Sequence, residues 1–239
     1  ATYFEISVAG MEESYARQAS AAAFRELDRL EGELSRFVES SDIACANRLA
    51  RGESIRLGAD AFECLLLAAD AAIATARAFD PAYASEREVE LPAGTPSFTL
   101  DPATHLLTSQ VKRLHLDLGA VGKGYALDRM AETLREWQIS SACLNSGGST
   151  ALALDAPARA PGWPVGLGEG ASYRTIDLVH AALSGSGTGI KGEHLTDPRT
   201  GQPARRANRT WALAPTAALA DALSTAFFVM ADAEIAAFC

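Results

Sequence analysis

The sequence has little of what marks several protein classes. Its four cysteines, Cys45, Cys64, Cys143 and Cys239, lie far apart and never at C-x-x-C spacing. That removes the usual zinc and dithiol signatures and leaves them as free structural thiols. Basic charge is also short: 21 Lys and Arg stand against 30 Asp and Glu, a formal net charge of -9. An acidic surface gains nothing from neutralising phosphates, which argues against a nucleic-acid partner. No run approaches the roughly 20 uncharged apolar residues that span a bilayer. The first residues lack the basic-then-apolar order of a signal peptide, so the chain as given reads as cytoplasmic; a leader removed ahead of residue 1 would make it periplasmic. No internal repeat is visible.

What is present is enough for a sizeable core: 239 residues, 48% of them apolar. Residues 2–8 alternate Tyr3, Glu5 and Ser7 against Phe4, Ile6 and Val8, a strand with one buried face. Apolar spacing through Ala23, Leu27, Leu30, Leu34 and Phe37 predicts an amphipathic helix over 12–37. Ser40, Ser41 and Asp42 offer N-cap oxygens for a short helical turn. A second helix is expected from about Asp60 to Ala78, ended by Phe79-Asp80-Pro81. Residues 82–96 read as an irregular connection and a candidate sub-boundary within one domain spanning 1–239. Strands are expected at 97–100, 114–118, 142–144, 150–154 and near Trp163, Ile176 and Trp211, with helices over 123–137 and 217–230. Strict βαβ alternation is missing, so the fold class is α+β, antiparallel sheets covered by helices.

Several segments carry chemistry. Gly119-Ala120-Val121-Gly122-Lys123-Gly124 sits between a strand and a helix, where bare N–H groups and a lysine can meet an anion. It is not a Walker loop, since only two residues separate Ala120-flanking Gly119 from Gly122-Lys123, and a plain glycine turn with a solvated lysine is the competing reading. Gly166-Leu167-Gly168 faintly echoes a dinucleotide fingerprint, but a strand follows it instead of a helix, so it reads as a turn. A Gly-rich loop is expected over 185–192. His194 lies just beyond it, ahead of the well-specified turn Asp197-Pro198-Arg199-Thr200-Gly201. A lone loop histidine is more often a surface hydrogen-bonding group than a catalyst, and His105, His115 and His180 are read that way. On the last helix Asp221 and Thr225 share a face with Ser224 beside them. A buried carboxylate needs a partner, and a carboxylate, a hydroxyl and a turn carbonyl form a hard-oxygen set suited to Mg²⁺. A capping Asp and an ordinary helical Thr are the alternative.

Taken in order, Leu116-Asp117-Leu118-Gly119-Ala120-Val121-Gly122-Lys123-Gly124-Tyr125-Ala126-Leu127-Asp128, Leu144-Asn145-Ser146-Gly147-Gly148, His194 to Gly201 and Ala220-Asp221-Ala222-Leu223-Ser224-Thr225-Ala226 resemble the ApbE family of FAD:protein FMN transferases. Thr2-Tyr3-Phe4-Glu5-Ile6, Ser41-Asp42-Ile43 with Asn47, and Ala78-Phe79-Asp80-Pro81 agree with it in the N-terminal half. Ala1 stands where the family has Met-Gly before the threonine, and Ser149 where an acidic residue is common.

The resemblance implies a duplicated, T-fold-like α+β architecture, FAD as substrate and Mg²⁺ as cofactor. By that similarity Asp221, Thr225 and the Ala120 carbonyl would hold the metal. His194 would be the catalytic histidine, with Lys123 at the pyrophosphate. Thr2, Asn47, Asp80, Lys123, Gly147, Gly148 and Ser184 would surround the flavin, adenine or pyrophosphate. The expected reaction joins FMN to a Ser or Thr hydroxyl of an acceptor protein, a flavinylated redox protein, and releases AMP. Hydrolysis of FAD to FMN and AMP, or flavin binding without catalysis, are the alternatives.

Overall fold

The computed structural model describes residues 2–88, 95–168, 170–187, 196–204 and 208–239. Strand β1 (Phe4–Val8) leads into helix α1 (Glu13–Leu34). The Glu12 carboxylate caps α1 by accepting from the N–H groups of Ser14 and Tyr15 at 2.9 and 3.0 Å. The helix stops short of Phe37, whose ring is left in solvent beneath the Arg36 guanidinium. Helix α2 (Asp42–Ala46) starts where the cap was expected, Ser41 Oγ accepting from Ala44 N at 3.0 Å. Strand β2 (Ser54–Arg56), helix α3 (Ala59–Ala74) and strands β3 (Phe98–Asp101) and β4 (Leu106–Ser109) follow. The three strands form an antiparallel sheet in the order β2-β4-β3.

Helix α4 (Gly122–Glu136) buries Leu127, Met130 and Leu134 completely. Strands β5 (Ala142–Ser146), β6 (Thr150–Ala153), β7 (Trp163–Leu167), β8 (Arg174–Leu178), β9 (Ala181–Gly187) and β10 (Arg209–Ala214) come next. Helices α5 (Ala217–Val229) and α6 (Asp232–Phe238) close the chain. A five-stranded antiparallel sheet runs β1-β5-β6-β9-β10, and β7 pairs with β8 alone. Alternation sorts each strand of the large sheet. Leu144, Leu152, Ala182 and Ala214 join Leu127, Met130, Leu134, Ala217 and Ala220 under α4 and α5. Ala151, Ala153 and Leu183 instead meet Trp163, Val165, Leu167 and Ile176 of the β7–β8 hairpin. Phe4, Leu27 and Leu219 pack against both this core and the one beneath α3, making the helices a shared layer. The expected α+β architecture of antiparallel sheets covered by helices is what forms. No helix among the described residues is long and apolar enough to cross a membrane.

Two expected elements differ. Residues 114–118 are extended but join no sheet. Leu114, Leu116 and Leu118 are buried, which produces the period of two, yet the backbone bonds go elsewhere. Asn47 brackets Leu116, donating Nδ2–H to its carbonyl at 3.0 Å and accepting its N–H at 2.6 Å. Asp117 N donates to the Pro81 carbonyl at 2.8 Å, and His115 N to Ser85 Oγ at 3.0 Å. The expected Gly-rich loop is, over residues 185–187, the end of β9, with Gly185 opposite Trp211 and Gly187 opposite Arg209. Glycine there makes room for the indole, because a Cβ on Gly185 would lie 3.1 Å from the Trp211 ring. Residues 188–192 of that expected loop fall outside the described residues.

Candidate active site

The extended segment 114–118 runs straight into the Gly119–Lys123 turn and so decides where that turn sits. The Asn47 amide braces Leu116 just before it, and Asp80 precedes Pro81, whose carbonyl accepts from Asp117 N. Asp80 is tied down too, Oδ2 accepting from Arg77 Nη1 and Oδ1 from Ala82 N, each at 2.8 Å. Helix α4 then begins at Gly122 with Val121 as N-cap and no side-chain cap. Gly122 N donates to the Leu118 carbonyl at 2.7 Å, which leaves the next N–H groups of the first turn to meet an anion in front of them.

What lies there is Asp221, only 4% exposed. Its Oδ2 accepts from Lys123 Nζ at 3.1 Å and Gly124 N at 3.3 Å. Its Oδ1 accepts from Ser184 Oγ at 3.3 Å and Thr150 Oγ1 at 3.4 Å. Lys123 Nζ also donates to the Gly119 carbonyl at 2.6 Å, folding the turn that contains Ala120 back toward the carboxylate. One turn further along α5, Thr225 Oγ1 donates to the Asp221 carbonyl at 3.3 Å and meets Ser186 Oγ at 3.1 Å. Ser224 Oγ lies 2.9 Å from the same Ser186 hydroxyl. A single carboxylate and a single ammonium thus sit among five hydroxyls. The charge is felt beyond the cluster, since burial pushes the Cys64 thiol well above its usual range and the Asp221 carboxylate adds to that shift.

Lys123, Ser184, Asp221 and Thr225 are brought together, and the Ala120 turn is held against them by Lys123. Gly147 and Gly148 form the β5–β6 turn with φ of 57° and 65°, a backbone that favours glycine. This turn adjoins the cluster through Ser149, whose carbonyl accepts from Gly185 N at 2.7 Å. Thr2 stands over it, its methyl 2.9 Å from where a Gly147 Cβ would be. Beside the turn, between the sheet and the β7–β8 hairpin, opens a cavity of about 740 Å³ lined by Gly148, Ser149, Trp163, Gly185 and Trp211. His194 lies outside the described residues. Thr150 was not singled out from the sequence, and Ser186 was read only as one hydroxyl of the Gly-rich stretch that begins at Ser184. The signal for Ser186 is its spacing of two from Ser184, which puts both hydroxyls on one face once β9 is recognised as a strand.

The donor set bears on the metal. Among the described residues no three His, Cys, Asp or Glu side chains converge, so a site closed by protein ligands alone is not what the residues build. One carboxylate with neighbouring hydroxyls and a turn carbonyl is instead the partial oxygen set that suits Mg²⁺ shared with substrate phosphates.

Comparison with known proteins places the chain in a family. The chain matches the ApbE family over residues 1–239. An FAD:protein FMN transferase from Rhodobacter capsulatus is 29% identical over 273 residues, covering 98% of this chain and 50% of that protein. One from Treponema pallidum is 31% identical over 165 residues, covering 60% of this chain and 44% of its own length. The chain thus spans about half the length of these relatives. In fold, it superposes on a flavin transferase ApbE from Vibrio cholerae with a TM-score of 0.83 at 17% identity, covering 100% of this chain and 90% of that one. The ApbE protein of Thermotoga maritima gives 0.79 at 21% identity, with coverage of 100% and 90%. The order of motifs, the fold and the full-length match make this chain a member of the ApbE family.

Proposed function

We propose that the chain cleaves the FAD pyrophosphate and transfers the FMN half to a Ser or Thr hydroxyl of an acceptor protein, releasing AMP. The observation that carries this reading is the Asp221 cluster. It pairs a buried carboxylate and Lys123 at the start of α4, where Asp221 itself accepts from Gly124 N, a constellation suited to phosphate and a hard cation. The relatives bear the name of this activity.

In this reading Asp221, Thr225 and the Ala120 carbonyl hold Mg²⁺, which when bound neutralises the pyrophosphate charge. Lys123, at the start of α4, would hold the phosphate oxygens. Ser184 and Thr150 fix the Asp221 carboxylate so that one oxygen stays turned toward Lys123. Asn47 and Asp80 set the approach to the turn on the adenine side, while Thr2, Gly147 and Gly148 border the flavin side, where the neighbouring cavity offers room. The acceptor hydroxyl oxygen attacks the FMN phosphorus, the phosphorus–oxygen bond to AMP breaks in line, and His194 takes the hydroxyl proton. The acceptor is a redox protein that uses covalently bound FMN.

Incubating the protein with FAD, Mg²⁺ and a flavinylation acceptor domain, then weighing the acceptor, tests this. An acceptor heavier by FMN is the expected result. Free FMN with AMP and no adduct assigns hydrolysis instead, and intact FAD under every condition defeats the enzyme reading. For His194→Ala the transfer rate should fall by about a hundredfold; a normal rate removes His194 from the mechanism.

A further inference from the structure

We infer that Asp128 is a positioning residue for the Asp221 centre, acting through the backbone of α5; this rests on the functional reading above. Both of its carboxylate oxygens are engaged, Oδ1 accepting from Ala217 N at 2.8 Å and Oδ2 from Ala218 N at 2.9 Å. Helix α5 already has its own N-cap, Thr216 Oγ1 accepting from Leu219 N at 3.3 Å. The two devices differ in what they fix. A cap within the helix follows it wherever it moves, whereas Asp128 belongs to α4 and holds α5 relative to α4.

The grip has a second jaw. One turn before Asp128 on α4, Gly124 lies so close to α5 that a Cβ there would sit 2.1 Å from the Ala217 carbonyl oxygen. Ala217 is thus held at its N–H by Asp128 and crowded at its carbonyl by Gly124. About one helical turn separates Ala217 from Asp221, whose Oδ2 accepts from Gly124 N and Lys123 Nζ on the same α4. The link Asp128–Ala217–Asp221–Lys123 closes into a rigid loop between two helices. The distance from the start of α4 to the Asp221 carboxylate is then set by the Asp128 contact. Burial raises the Asp128 carboxyl above its ordinary pKa, against the pull of the two N–H groups, so the contact is an expensive way merely to join two helices.

The test compares Asp128→Ala with Thr216→Ala in the full chain, the second removing the cap that does not span helices. Three quantities are read: the thermal midpoint; kcat, KM for FAD and the Mg²⁺ concentration for half-maximal AMP release; and the acylation rate of Lys123 by an amine-reactive ester without Mg²⁺ or FAD. Both variants should lose similar thermal stability. Asp128→Ala should lower kcat by about tenfold or more, raise the Mg²⁺ requirement several-fold, leave KM for FAD within about twofold, and speed Lys123 acylation. Thr216→Ala should match the wild type in kcat, KM, Mg²⁺ requirement and Lys123 acylation. Asp128→Asn, which keeps one acceptor oxygen, should fall between and serves if the alanine variant does not fold. Equal kinetics, metal requirement and Lys123 reactivity in the two alanine variants overturn the proposal. A wild type that releases no AMP from FAD overturns the functional reading alone, and the Lys123 acylation comparison then decides the positioning role.

Discussion

Helix α4 carries two ionic clusters within two turns of each other, and they are built on opposite plans. At its start, Lys123 meets Asp221 among the hydroxyls of Thr150, Ser184, Ser186, Ser224 and Thr225. On the side facing α1 and α3, Arg29 donates to Glu26, Glu33 and Asp60 at 2.5 to 2.6 Å. Tyr125 donates to Asp60 and Glu63 at 2.8 and 3.1 Å, and Arg129 reaches Glu63 and Glu132. The second cluster has more charge and less capacity to bind anything, because each carboxylate already faces a cation or a phenol and the groups lie near the surface. It ties three helices together. The first has little charge, and its hydroxyls bond to one another and to Asp221, the contacts between hydroxyls being ones that a cation or a phosphate can replace at small cost. Charge density alone does not mark a site; unspent donor and acceptor capacity around a buried charge does.

That contrast can be broken most sharply at Asp221. Asp221→Asn should cut AMP release from FAD by about a hundredfold or more, the scale lost when a preorganised electrostatic group is removed. Stability should change by less than about 1 kcal/mol, since Lys123 keeps the Gly119 carbonyl and reaches solvent. A large loss in a urea melt would show that the pair is structural. Gly124→Ala acts on the frame that both clusters share. Its Cβ would run into the Ala217 carbonyl, and forcing α4 from α5 should cost about 3 kcal/mol in the same melt, with activity lost in parallel. A neutral result would mean that the helices part easily.

The smallest effect belongs to the charge-rich side. Arg29→Ala should cost about 1 kcal/mol with AMP release unchanged. The pH dependence follows from the direction of the shifts. For Glu26, the Arg29 hydrogen bond pulls the carboxyl below its ordinary range. For Asp60, burial pushes upward first, and the bonds from Arg29 and Tyr125 outweigh it. Carboxylates with lowered folded-state pKa values stabilise the fold above their unfolded pKa, and that stability is lost as pH falls through the folded values. The thermal midpoint should therefore drop between about pH 5 and about pH 3, and less steeply in Arg29→Ala. Parallel curves for the two proteins would show that the network is not the acid-sensitive element.

How much of this was legible in the sequence varies with the range of the forces involved. The Ser41 cap, the amphipathic stripe of α1 and the nearly all-apolar α5 follow from local spacing and appeared as expected. Strands β2 and β4 are three and four residues long and offer too little pattern to read, and α6 was not foreseen. The segment from Leu114 to Leu118 shows the limit of periodicity. Alternating leucines report which face is buried, not whether another strand lies alongside. Here Asn47 and the Pro81 carbonyl stand in for one.

By itself the sequence determined most of the helices, the longer strands and the residue types suited to a phosphate centre, because these depend on neighbours a few residues apart. Only the tertiary structure decided that Lys123 and Asp221, 98 residues apart in the chain, face each other, that Ser184 turns toward Asp221 and Ser186 toward Ser224 and Thr225, and that Asp128 bonds the start of α5 from α4. Those contacts come from packing α4 and α5 on the helix face of the large sheet, and no local pattern encodes the distance across a packed interface.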